Sequence, residues 1–142
     1  MELANQAMYL GFGLIFFGLS FSSFHGLRHQ FSLQSSKHYW AFSLLAMSLS
    51  CFFFLIYPVV GGFALTLANV MQFVANMGLV ILFRSFNTKI TKGLLLAFLI
   101  SLPLFGLVFE LIRAKEAYDV RIEFLSGVAI ALAIWQMYEV SV

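Results

Sequence analysis

Long apolar runs alternate with short polar connections along this chain, and a thin scatter of small and amide side chains lies within the runs. The runs fall at about residues 3–24, 39–59, 62–83, 93–112 and 122–138. Each approaches the roughly 20 residues a tilted helix needs to cross the hydrocarbon of a bilayer. The pattern predicts an all-α fold, a polytopic transmembrane helix bundle of about five spans forming one domain over residues 1–142. Because the connections are short, successive helices are expected to be antiparallel neighbours. No soluble domain, low-complexity segment or internal repeat interrupts the pattern.

Composition agrees. Hydrophobic residues make up 62% of the 142, charged residues only 10%, and the mean hydropathy is +0.97. Soluble domains carry about a quarter charged residues, and most residues of a small domain touch water, so a soluble core of this size could not hide so much apolar surface. The expected partner is therefore the lipid bilayer. A net charge of +2 is too small to argue for nucleic acid. Cys51 lies alone inside an apolar run, which excludes an intramolecular disulfide and makes it a small hydrophobe. Glu2 and the long apolar stretch after it do not fit a cleavable signal peptide, so the first run reads as a retained span.

The placement of charge gives an orientation. The first and third connections carry Arg28, Lys37, Arg84, Lys89 and Lys92 with no acid, five cations against the three (Arg113, Lys115, Arg121) of the second and fourth. The uncharged PVVGG connection and the acidic start of the chain point the same way. By the positive-inside rule the N-terminus lies outside, the first and third connections in the cytoplasm, and Val142 inside. The last run ends in IWQMYEVSV without a basic anchor, which reads as a fragment of a longer chain.

Polar residues inside the spans need partners, because an amide in hydrocarbon leaves its donors and acceptors unsatisfied. Thr66, Asn69, Gln72 and Asn76 follow steps of three, three and four, and so lie near one face of the third helix. Two readings are compatible: interhelical hydrogen bonds, each contributing on the order of 1 kcal/mol, and an amide-lined ligand pocket. In the first span Gly11, Gly18, Ser22 and Gly26 form a small-residue track that lets another backbone approach, within the chain or across a homodimer. Ser43, Ser50 and Cys51 offer the same in the second span, which Tyr57 and Pro58 are expected to close. Pro103, beside Ser101 and Gly106, removes one backbone hydrogen bond from the fourth and commonly kinks a helix.

Glu110, Arg113, Arg121 and Glu123 cluster at the predicted outer ends of the last two spans. There they form an interfacial charge belt or shape the mouth of a pocket for a small ligand. Glu139, near the inner end, reads as an ordinary interfacial residue. His25 and His29 stand one helical turn apart, with His38 across the connection; the spacing suits a metal, but no carboxylate or thiolate accompanies them, so neither a metal nor another cofactor is expected. No nucleophile–base set, phosphate-binding glycine loop or interior carboxylate pair appears, and an enzyme contained in these residues alone is not expected.

The third span, ANVMQFVANMGLVILFRSFNTKI, resembles a segment of the N-terminal multi-span sensor regions of bacterial diguanylate cyclases. In those regions an early Asn is followed by a glycine, a leucine-rich stretch, an arginine–aromatic pair and further basic residues; the matching positions are Asn69, Gly78, Arg84 and Phe86. The segment YDVRIEFLSGVAIALAIWQMYE is similar to the next such stretch, with Arg121 entering the span and Ser126 following, although Asp119 stands where an Asn is expected. The resemblance spans about residues 65–139. It implies a membrane-embedded input module for cyclic di-GMP signalling, with further spans and a cytoplasmic GGDEF domain beyond Val142. On this reading Asn69, Gln72 and Asn76 line the interior, and Glu110, Arg113, Arg121 and Glu123 shape the outer mouth. A small transporter or channel subunit, and a structural protein acting through helix partners, are the alternatives.

Overall fold

The computed structural model describes residues 2–26, 35–115 and 118–142. They form five helices: α1 (Glu2–His25), α2 (Ser36–Val60), α3 (Gly62–Asn87), α4 (Lys92–Lys115) and α5 (Tyr118–Ser141). All five are long and apolar enough to cross a membrane, and the fold is that of an all-α, multi-pass membrane protein. Each helix outruns the apolar stretch that marks it. At 24 to 26 residues and about 1.5 Å per residue they reach roughly 36–39 Å, beyond the ~30 Å hydrocarbon core. Backbone hydrogen bonding simply continues through the interface, where charged side chains are already solvated.

α3 is the centre of the bundle. It packs against α2 on one side and against α4 and α5 on the other, whereas α1 packs on α2 alone among the described residues. Between α2 and α3 the chain reverses at Gly61, whose φ of 88° and ψ of −164° belong to glycine. α2 runs two residues past Pro58 to reach this reversal, and the Gly61 amide donates to Tyr57 O at 2.8 Å. α4 continues unbroken through Pro103.

The two halves of the bundle are held differently. In lipid, apolar surface gains nothing by facing protein, so helices associate through close packing and interhelical hydrogen bonds. The α2–α3 seam is built from small side chains, among them the fully buried Ala64, Ala68 and Ala75. Its tightest point is Gly78, where an added Cβ would overlap the Ser43 hydroxyl and lie 3.3 Å from Ser43 Cβ. Hydroxyls then reach across to backbone: Ser50 donates to Ala68 O (2.9 Å), Ser20 of α1 to Ala41 O (2.9 Å) and Ser48 to Gly13 O (2.9 Å). Cys51 is buried and lies against Gly13. The α3–α4–α5 half uses rings instead. Phe73 and Phe105 stack 4.5 Å apart, Phe105 continues to Phe124 at 5.7 Å, and Phe98 meets Trp135 edge-on at 5.5 Å.

One expectation changes here. The α1 track of Gly11, Gly18, Ser22 and Gly26 does not pack closely on α2: nothing lies within 4 Å of a Cβ added at Gly11 or Gly18, Ser22 is exposed, and a Cβ at Gly26 would meet only the backbone of its own helix. The packed face is Gly13 and Ser20, an alternative small-residue pair seven residues apart. Ser43, Ser50 and Cys51 do lie in helix contacts, as their size and polarity predict. Arg28 and His29 lie outside the described residues, and with them the His25–His29 pairing.

Candidate functional site

The amides of α3 divide their hydrogen bonds rather than sharing one role. Asn69 Nδ2 donates to Leu65 O (2.8 Å) and Asn76 Nδ2 to Gln72 O (2.9 Å), each folding back on the carbonyl four residues earlier. Gln72 Oε1 lies 3.2 Å from the Ser50 hydroxyl, tying α3 to α2. Thr66 Oγ1 donates to Glu110 Oε2 of α4 at 2.5 Å. Gln136 of α5 donates to the backbone oxygen of Asn76 at 3.2 Å. Among these side chains, interhelical bonding thus falls to Thr66 and Gln72, whereas the two asparagine side chains bond within α3.

Asn69, Gln72 and Asn76 nevertheless share one wall of a cavity of about 260 Å³ between α3 and α5. Ser126 and Ala129 of α5 face them, and the stacked Phe73 and Phe105 close one side. With both asparagine nitrogens turned to the backbone, their carbonyl oxygens accept no hydrogen bond from any described residue. The cavity therefore joins apolar walls to a small set of acceptors and one hydroxyl, the usual make-up of a small-molecule site.

The four charges expected at an outer mouth do not form a single cluster. Glu110 and Arg113 do pair, with Arg113 Nε 3.0 Å from Glu110 Oε2 and a second guanidinium nitrogen on Oε1. Thr66 completes this group, and the Arg113 guanidinium lies over Gly62 at the start of α3. Arg121 instead lies 5.4 Å over the Tyr118 ring, and its Nε has no partner among the described residues. Glu123 is exposed and in no ion pair among the described residues. None of the four lines the cavity.

At the opposite end the structure shows a group that sequence reasoning missed. Glu139 is not an ordinary interfacial residue: it is 3% exposed. Its Oε1 accepts from Arg84 Nη1 at 3.0 Å and from Trp135 Nε1 at 2.9 Å, and its backbone oxygen accepts from Asn87 Nδ2 at 2.8 Å. The last turn of α5 holds no basic residue, and the cation beside it is Arg84 of α3. The available signal was local: Trp135 and Glu139 stand one turn apart, at the same depth as Arg84. Among the described residues no three His, Cys, Asp or Glu side chains gather as a metal site would require.

The arrangement defines a class, a five-helix membrane protein with a largely apolar cavity, edged by amides, between two parallel helices and a half-buried ion pair joining their far ends. No family model, curated protein or solved structure matches this chain.

Proposed function

We propose that this chain is the membrane-embedded input module of a bacterial signalling protein, regulating a cytoplasmic diguanylate cyclase domain in a longer parent chain. The observation that carries the reading is the α3–α5 cavity. Asn69 and Ser126, positions on which the resemblance to cyclase sensor regions rests, come from segments far apart in sequence and face the same space. A ligand there regulates output only by binding two helix arrangements unequally. Three polar groups at on the order of 1 kcal/mol each would supply about 3 kcal/mol of bias, at the upper end of typical allosteric couplings. The Arg84–Glu139 pair makes α5 follow α3 at the end nearest Val142.

In this reading the N-terminus lies outside the inner membrane and Val142 in the cytoplasm, in line with Arg84, Lys89 and Lys92 at one end of the bundle. The open Gly11 and Gly18 face of α1 supplies a seam for a homodimer. A transport path is less well served, since the α3 amides turn toward α2 and their own backbone, and Thr66 toward α4, rather than along a continuous wet route.

The reading frame past Val142 is the first test. Continuation into a GGDEF domain supports the module, and a stop codon directly after Val142 counts heavily against it. In such a parent, Asn69→Leu with Asn76→Leu should shift cyclic di-GMP output in cells; unchanged output at normal protein levels would exclude the cavity as the input site.

A further inference from the structure

A second concavity, of about 530 Å³, lies on the other side of α3. α3 is its floor, and its walls are α2 and α4, whose backbones stand apart from each other among the described residues. It runs from Tyr39 to Leu49 on α2, from Met71 to Ile81 on α3 and from Leu95 to Leu102 on α4. Its lining is almost wholly apolar, and Phe42 and Leu99, each more than half exposed, mark its opening toward the surrounding bilayer.

We infer that this groove holds one acyl chain of an anionic phospholipid, with the headgroup at Lys92 and Lys89. Length is the first argument. Ten residues separate the groove's ends on α2 and on α3, which at 1.5 Å per residue is about 15 Å. That is half the ~30 Å hydrocarbon core, the depth of one leaflet. A crossing helix would need the full thickness, whereas a lipid chain needs only this half. Volume is the second: a cavity of about 150 Å³ accepts one benzene, so the groove takes a chain several times larger than a small solute.

Charge is the third. The half that the groove occupies is the half bearing the α3–α4 connection. Lys92 precedes Leu95 by three residues and Leu99 by seven, so it stands on the groove face of α4, one turn toward the polar end. Lys89 and Lys92 are exposed and belong to no ion pair among the described residues. Cations just beyond the end of an apolar slot between helices match a phosphate on an acyl chain, and each is worth about a fivefold preference near a charged surface. The site stands apart from the α3–α5 cavity and does not depend on a signalling role.

The test uses the purified chain in detergent and native mass spectrometry, with phosphatidylglycerol and phosphatidylcholine of identical acyl chains. The chain should retain one phosphatidylglycerol, at least about fivefold over phosphatidylcholine. Lys92→Gln should lower that preference by about fivefold. Leu49→Trp, which fills the groove from a side chain already 39% exposed, should abolish retention of both lipids while helicity and gel-filtration volume stay unchanged. Equal retention of the two lipids by the native chain would overturn the inference, as would retention unaffected by Leu49→Trp.

Discussion

Removing either member of the Arg84–Glu139 pair destabilises the bundle unequally, and the two side chains' surroundings set the order. Glu139's side chain is 5% exposed and Arg84's 30%. Arg84→Ala leaves a buried carboxylate with Trp135 Nε1 as its remaining side-chain donor. Breaking a buried pair in this way costs about 3–5 kcal/mol, and the nearby helix end lowers this to about 2–4 kcal/mol by admitting water. Glu139→Ala leaves a guanidinium that can turn toward water and phosphate headgroups, so its loss is nearer that of an exposed pair, about 1–2 kcal/mol. The double variant should cost about as much as Glu139→Ala alone, because no charge is then stranded. In a double-mutant cycle that predicts a coupling equal to the Arg84→Ala cost, about 2–4 kcal/mol. Sodium dodecyl sulfate titration of the protein in mixed micelles, followed by circular dichroism, measures all four species. Equal costs for the two single variants, or strict additivity, would refute the assignment of Glu139 as a buried partner of Arg84.

Other expectations follow from particular contacts. Gly78→Ala should destabilise the α2–α3 seam by about 1–3 kcal/mol, since the new methyl meets a Ser43 hydroxyl tied to Tyr39 O at 2.8 Å. Adding Ser43→Ala should recover part of the loss in the same titration, and no recovery would contradict the close approach. Gly61→Ala should cost about 1–3 kcal/mol through its positive φ, read as a lower thermal midpoint in detergent; an unchanged midpoint would mean that the reversal tolerates another conformation. A tag at Val142 should be labelled by a membrane-impermeant reagent only after cells are opened, and labelling of intact cells would reverse the proposed orientation.

The spans were legible because hydrocarbon imposes a strong, one-dimensional rule on sequence. The apolar stretches at 62–83 and 122–138 locate α3 and α5, while the helices themselves run to Asn87 and from Tyr118 to Ser141. The difference lies in residues such as Asp119, Arg121 and Glu139, which end the apolar pattern without ending the backbone ladder. Asn69, Gln72 and Asn76 were legible as one face, because amides in lipid must be sheltered, and they do share a wall. Which atoms they bond was not legible, since a carbonyl four residues back serves an asparagine as well as a neighbouring helix does.

The sequence by itself determined the solvent, the number of spans and the sheltered face of α3, since each follows from the cost of placing polar groups in lipid. Only the tertiary structure decided which of two small-residue tracks on α1 meets α2, Gly11 and Gly18 or Gly13 and Ser20. Lipid and protein are equally apolar neighbours for such a track, so periodicity cannot choose between them. The same holds for Glu139. Its burial depends on an arginine 55 positions earlier in the chain, and that proximity exists only once α3 and α5 lie side by side.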